Sequence, residues 1–123
     1  MKASSLVRIA TDVVSKTERE LPPEVLKAAR AVMVHFTPKP GPDVLAEGFE
    51  PDLLGLFTGN ALGEGDSGGD PTPPQIHLYM ANLWDFAEGD VAVFQDEVRL
   101  TYLHELGHYL GWDEGQVGAR GLD

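Results

Sequence analysis

Two histidines and a glutamate near the end of the chain have the residue types and spacing of a metal site. They are His104, Glu105 and His108, within the stretch LTYLHELGHYLGWDEG at residues 100–115. Residues four apart on a helix project from one face, so His104 and His108 can offer two imidazole nitrogens to one ion. Glu105 is rotated by about 100° and lies beside that face, where a carboxylate can hold and deprotonate water. The spacing therefore predicts a zinc site with a general base next to it.

A third protein ligand can come from the end of the same stretch. Gly111 stands three residues after His108, and glycine can end a helix by turning through positive φ without strain. Glu114 follows three residues later, with Asp113 beside it. A carboxylate oxygen from this tail could complete three protein ligands and leave the fourth position to water. The alternative is a packing helix whose histidines only form hydrogen bonds.

Composition limits the class of protein. The 123 residues predict a single domain, and the absence of cysteine excludes a thiolate metal site. Nine basic against twenty acidic residues give a net charge of −11, which argues against a nucleic-acid partner. No apolar stretch approaches the roughly 18 residues of a membrane helix. The first twenty residues have no long apolar region and run into charged residues, so we expect no secretion signal. We therefore expect no membrane partner and a cytoplasmic location.

Hydrophobic periodicity predicts an α+β domain. It has a small sheet of three or four strands, an N-terminal helix capped by Ser4 or Ser5, and a long C-terminal helix that carries the motif. The predicted helices cover 4–20, 24–30 and about 91–110, the strands cover 31–36, 52–57 and 75–80, and a flexible loop covers 59–74. Residues 81–90 are expected to form a turn that ends at Asp90, the N-cap of the long helix.

Three segments carry a resemblance to a known family. HELGHYLGWDE resembles the extended motif HExxHxxGxx(H/D) of zincin metallopeptidases, with Glu114 at the usual His or Asp position. The chain more closely resembles a family of small bacterial zincin-like metallopeptidases, whose members carry LLGLYxG, xIxLYxxPL and VRxTxxHExxHxxGxxD in this order. The corresponding segments here are LLGLFTG (53–59), PQIHLYMANL (74–83) and VRLTYLHELGHYLGWDE (98–114).

The resemblance implies a minimal zincin-like fold and a site with named roles. His104, His108 and Glu114 would bind one zinc ion per chain, and Glu105 would be the general base for a zinc-activated water that hydrolyses peptide bonds. Asp113 would support this site or replace Glu114 as the ligand. The alternative function is a non-catalytic zinc-binding or regulatory module with the same fold.

The resemblance also implies a truncated cleft, because the compact fold lacks the C-terminal subdomain that forms the lower wall in larger zincins. The substrate would be an extended peptide or unfolded protein, or a partner chain would complete the cleft. In zincins an edge strand pairs with the substrate, and 75–80 is the candidate here.

Four further residues are candidates for roles around this site. On strand 75–80, Tyr79 could donate to the transition-state oxyanion or simply pack, and His77 could be an alternative third ligand. Glu97 and Thr101 lie near the histidine face of the long helix, where either could hydrogen-bond a ligand histidine and fix its tautomer.

Overall fold

A computed structural model describes residues 1–62 and 72–111 of the chain. Within these ranges it contains five helices and three strands, so the α+β prediction is confirmed. In chain order they are α1 (Ala3–Arg19), α2 (Pro23–Ala29), β1 (Met33–Thr37), α3 (Pro42–Ala46), β2 (Gly55–Thr58), β3 (Gln75–Tyr79), α4 (Met80–Phe86) and α5 (Val91–Tyr109). No helix in the described ranges is long and apolar enough to cross a membrane.

The three strands form one mixed sheet with β3 in the centre. β1 runs parallel to β3, with His35 opposite His77, and β2 runs antiparallel to β3, with Leu56 opposite His77. The prediction that 75–80 is the edge strand that pairs with substrate is therefore wrong. Both edges of β3 are already hydrogen-bonded to neighbouring strands, and its two core residues, Ile76 and Leu78, are fully buried on one face of the sheet.

Helices α1 and α5 pack against one another, and α5 also packs against β2 and β3. Trp84 of α4 contacts Phe94 edge to face, with ring centroids 5.7 Å apart, which fixes the N-terminal half of α5. Seven residues of α5 are buried, and they recur at helical spacing along its length: Phe94, Val98, Tyr102, Leu103, Leu106, Gly107 and Tyr109. This packing holds the C-terminal half of α5, with the histidine motif, beside β2.

The N-terminus of α5 is as predicted, whereas that of α1 is not. The Asp90 carboxylate accepts a hydrogen bond from the Val93 backbone N–H at 3.1 Å, so Asp90 is the N-cap of α5. Helix α1 begins after Lys2 without a side-chain cap, so the predicted caps at Ser4 or Ser5 are wrong. Its stability comes instead from a buried apolar stripe that includes Leu6 and Val14.

The predicted turn at 81–90 is wrong over its first half, which is helix α4. Asn82, on this helix, is buried and donates hydrogen bonds to the carbonyls of Pro51 at 2.8 Å and Leu53 at 2.9 Å. These bonds hold the chain just before β2, and they depend on residues about thirty positions away. Local sequence could not indicate them. The five-residue helix α3 was also not predicted.

The hydroxyl group of Tyr102 is buried in the core. Within the described residues this hydroxyl has no hydrogen-bond partner. The pKa of Tyr102 is raised mainly by burial and, to a lesser extent, by the negative charge of Glu18. An unpaired buried hydroxyl costs free energy, so we expect Tyr102→Phe to leave the free energy of unfolding unchanged or to raise it by about 1 kcal/mol. Urea denaturation would measure this. A loss of about 1 kcal/mol or more would reveal a hydrogen bond to the hydroxyl.

Candidate metal centre

His104 and His108 project from one face of α5, one turn apart. Their Nε2 atoms are 3.2 Å apart, and their rings are nearly perpendicular, with centroids separated by 4.8 Å. Two nitrogens that bind one zinc ion at about 2.0–2.1 Å with a tetrahedral angle lie about 3.3–3.4 Å apart. The pair therefore has the separation of two ligands of a single ion.

His104, Glu105 and His108 form one compact group of possible ligands. Within the described residues, one ligand atom from each lies within 4.8 Å of the others, so the group could hold a metal ion. His108 is exposed and His104 is partly buried, so one side of the pair is open to solvent. Two imidazoles and a nearby carboxylate are a donor set that zinc accepts.

Glu105 is held against strand β2. Its carboxylate accepts a hydrogen bond from the backbone N–H of Phe57, and most of the side chain is shielded from water. Burial raises the pKa of Glu105, and the positive charge of His104 and the Phe57 hydrogen bond lower it in part. A fixed carboxyl whose pKa is raised accepts a proton more readily than an exposed one, as a general base must.

The end of α5 has the predicted conformation. Gly111 has a φ of +76°, and its N–H donates to the carbonyl of His108 at 3.0 Å, so the chain turns immediately after the second histidine. The two candidate third ligands, Glu114 and Asp113, belong to residues 112–123, outside the described residues. Their roles stay predictions.

Tyr79 lies close enough to Glu105 for their charges to interact. The side chain is 2% exposed, and the pKa of Tyr79 is raised by burial and, to a lesser extent, by the negative charge of Glu105. Its proposed role as an oxyanion donor stays a prediction. Glu97 is partly buried on α5, two turns before His104, and lies outside the compact group of possible ligands among the described residues.

His77 has partners away from the metal group. Its Nε2 lies 3.1 Å from the Thr58 hydroxyl, and its ring stacks on His35 with centroids 5.0 Å apart. Among the described residues, the group that could share an ion does not include His77. His77 therefore interacts with Thr58 and His35 on the neighbouring strands of the sheet, whereas His104 and His108 lie on α5.

The stacked histidines predict an acid-sensitive sheet. The pKa of His77 is lowered mainly by burial and, to a lesser extent, by the charge of His35. This histidine is therefore protonated more readily in the unfolded chain than in the folded chain. Stability should therefore fall as pH drops below about 6.5, the pKa of an unfolded histidine. We expect His77→Gln to lose less stability than wild type between about pH 7.5 and pH 5.5 in urea denaturation. Equal losses in both proteins would contradict this assignment.

A cavity of about 370 Å³ adjoins the histidine and glutamate side chains. Its lining is mostly apolar and consists of Leu53, Leu54, Gly55, Leu100, Thr101, His104 and Glu105. Local sequence gives no direct indication of this cavity, because its residues at 53–55 and 100–105 come together only in the fold. The methyl group of Thr101 faces Gly55, so Thr101 contributes to the cavity wall.

Gly55 allows β2 to approach α5 closely. A Cβ atom at this position would lie 2.5 Å from the Thr101 Cγ2 and 3.1 Å from the His77 carbonyl oxygen. We expect Gly55→Ala to lower the free energy of unfolding by about 1–3 kcal/mol, the usual cost of overpacking. Adding Thr101→Ser removes the methyl group and should restore part of the loss in thermal or urea denaturation. Full stability in the single variant would show that the strand moves freely.

Comparison with known proteins agrees with the motif and the fold. A family model of zincin-like metallopeptidases matches residues 29–122, from the end of α2 to the penultimate residue of the chain. Comparison with curated proteins gives no match. The matched range includes the whole sheet and α5, so the helices, the small mixed sheet and the long C-terminal helix are those of a minimal zincin fold.

Proposed function

Because the chain belongs to the zincin-like metallopeptidase family, we propose that it is a zinc-dependent peptidase that hydrolyses peptide bonds. His104 and His108 are the first two metal ligands, and Glu114 is the third, with Asp113 as the residue that could take its place. Glu105 is the general base. One zinc ion binds per chain.

One observation carries this proposal more than any other. The Nε2 atoms of His104 and His108 are 3.2 Å apart, and Glu105 is fixed beside them by the Phe57 N–H. Histidines that served only to pack α5 would not require an adjacent carboxylate with restricted access to water. The combination provides two neutral nitrogen ligands and a separate base, as hydrolysis by activated water requires.

The metal ion, Glu105 and Tyr79 have separate roles in the proposed hydrolysis. When bound, zinc supplies Lewis acidity, which lowers the pKa of water to about 7 and polarises a carbonyl group. Glu105 then holds the attacking water, takes its proton and passes that proton to the leaving amine. The Tyr79 hydroxyl, whose pKa is raised partly by Glu105, is a candidate donor to the developing oxyanion.

Strand β2, rather than β3, is the proposed docking edge for the substrate. The Tyr79 N–H donates to the Leu54 carbonyl at 3.0 Å, so by antiparallel alternation the backbone groups of Gly55 and Phe57 face away from β3. The bond from Phe57 to Glu105 agrees with this direction. An extended peptide that paired with this edge would lie across the general base, which favours unfolded substrates. A partner chain could supply the missing lower wall.

Peptide hydrolysis by zinc-loaded protein tests the proposal. Incubation with unfolded proteins and a panel of short peptides should yield new termini, detected by mass spectrometry. A chelator should stop the reaction, and the Glu105→Gln variant should not perform it. If the zinc-loaded chain leaves all substrates intact, it is a zinc-binding or regulatory module instead.

A further inference from the structure

The cavity beside Glu105 has the chemistry of a pocket for one apolar side chain. It measures about 370 Å³, near the lower end of the range for ligand pockets. Apart from His104 and Glu105, its lining consists of three leucines, a glycine and a threonine whose methyl group faces Gly55. No other residue that lines the cavity carries a charge that could pair with a charged substrate side chain.

Leu100 indicates that this cavity is used for binding. It lies one turn before His104 on α5 and is 38% exposed, although the neighbouring Leu103 is 1% exposed and belongs to the core. Leu100 thus contributes little to the packing of the helix. Together with Leu53 and Leu54, it forms an apolar rim directly beside the residues proposed to react.

Strand geometry brings this cavity within reach of a substrate residue. Gly55 lines the cavity, and Phe57, which holds Glu105, is two residues further along β2. Alternate residues of a strand lie about 6.6–6.8 Å apart, so a peptide paired with the β2 edge would pass the cavity and Glu105 within two residues. A side chain next to the scissile bond can therefore enter the cavity.

We propose that this cavity selects peptides with an aliphatic side chain of leucine size next to the scissile bond, and that Leu100 is its principal specificity residue. The proposal rests on the proposed peptidase function and specifies its substrate class. Gly55 and Thr101 both line the cavity, at the place where β2 meets α5. Acidic and small side chains should bind poorly there.

Binding of amino-acid hydroxamates to the zinc-loaded protein tests this proposal without requiring turnover. A hydroxamate chelates zinc and presents one side chain to its surroundings, so calorimetry can compare N-acetylated glycine, leucine and aspartate derivatives. We expect the leucine compound to bind about tenfold or more tightly than the glycine compound. Leu100→Glu should abolish this preference and keep the affinity for the glycine compound.

Val93→Glu provides the matched control, because Val93 is a similarly exposed apolar residue of α5, about two turns before Leu100. This variant should retain the preference for leucine. Equal binding of the leucine and glycine compounds to wild type would overturn the specificity proposal, whatever happens in the variants. If no hydroxamate binds to zinc-loaded protein, the proposed function fails as well. Zinc-dependent cleavage of peptides without aliphatic preference would overturn the specificity proposal alone.

Discussion

Glu105→Gln is expected to abolish peptide hydrolysis while leaving zinc bound. The amide has the shape of the carboxylate and can still accept the Phe57 hydrogen bond, but it cannot take a proton from water. Loss of a general base usually costs about 10²–10⁴-fold in rate. Parallel measurements of zinc content and of peptide cleavage by mass spectrometry would check both halves of this expectation.

Asp96→Asn is the control for this substitution, because Asp96 is an exposed carboxylate on the same helix and lies outside the ligand group of the described residues. It should retain both zinc and activity. The metal-free Glu105→Gln protein should also be at least as stable as wild type at neutral pH. Since burial raises the pKa of Glu105, its charged form opposes folding above that pKa, and the amide removes this penalty. Hydrolysis by Glu105→Gln at the wild-type rate would reject Glu105 as the base.

His108→Ala is expected to lose the response of the fold to zinc. An ion bound only by the folded state stabilises it, by about 2.7 kcal/mol when free zinc is one hundred times its dissociation constant. Wild type should therefore unfold at a higher temperature when zinc is present. His108→Ala removes one of the two nitrogens that lie 3.2 Å apart, so its unfolding temperature should barely change with zinc.

His35→Ala is the matched control, because His35 is on β1 and contacts His77 and Gln75, away from the histidines of α5. It should retain the full response to zinc, even if its own stability is lower. Differential scanning calorimetry with and without zinc would give both unfolding temperatures. Equal zinc stabilisation of His108→Ala and wild type would place the ion elsewhere.

The sequence predicts the motif helix well, because the signals for it are local. Asp90 caps α5 through the backbone N–H three residues ahead, and Gly111 ends the turn after His108 with positive φ. The spacing of His104 and His108 then fixes their common face. These features involve residues within one or two helical turns of each other, so they can be recognised without knowledge of the rest of the fold.

Strand order could not be predicted in the same way. The alternation of Ile76 and Leu78 shows that β3 has one buried face, but it does not show which strands lie on either side. The position of β3 between β1 and β2 depends on pairing with residues about twenty and forty positions earlier. Local sequence therefore indicates neither that β3 is the central strand nor that Phe57 is the partner of Glu105.

The apolar cavity is not predictable from local sequence for a related reason. Leu53 and Leu100 are far apart in sequence, and they meet because Gly55 lets β2 approach Thr101. Glycine in a strand often marks a close backbone approach, so Gly55 was the available signal. Helix α4 depends likewise on distant contacts, since Asn82 binds the carbonyls of Pro51 and Leu53.

Metal content is the measurement that tests the central claim most directly. Elemental mass spectrometry would be applied to untagged protein purified without chelator, with Glu114→Ala and Asp113→Ala variants measured in parallel. We predict about one zinc ion per wild-type chain, a much lower content in Glu114→Ala, and little change in Asp113→Ala. If the wild-type chain holds no metal, even after zinc is added and the protein is washed, the peptidase proposal is contradicted and the HELGH segment only packs the helix.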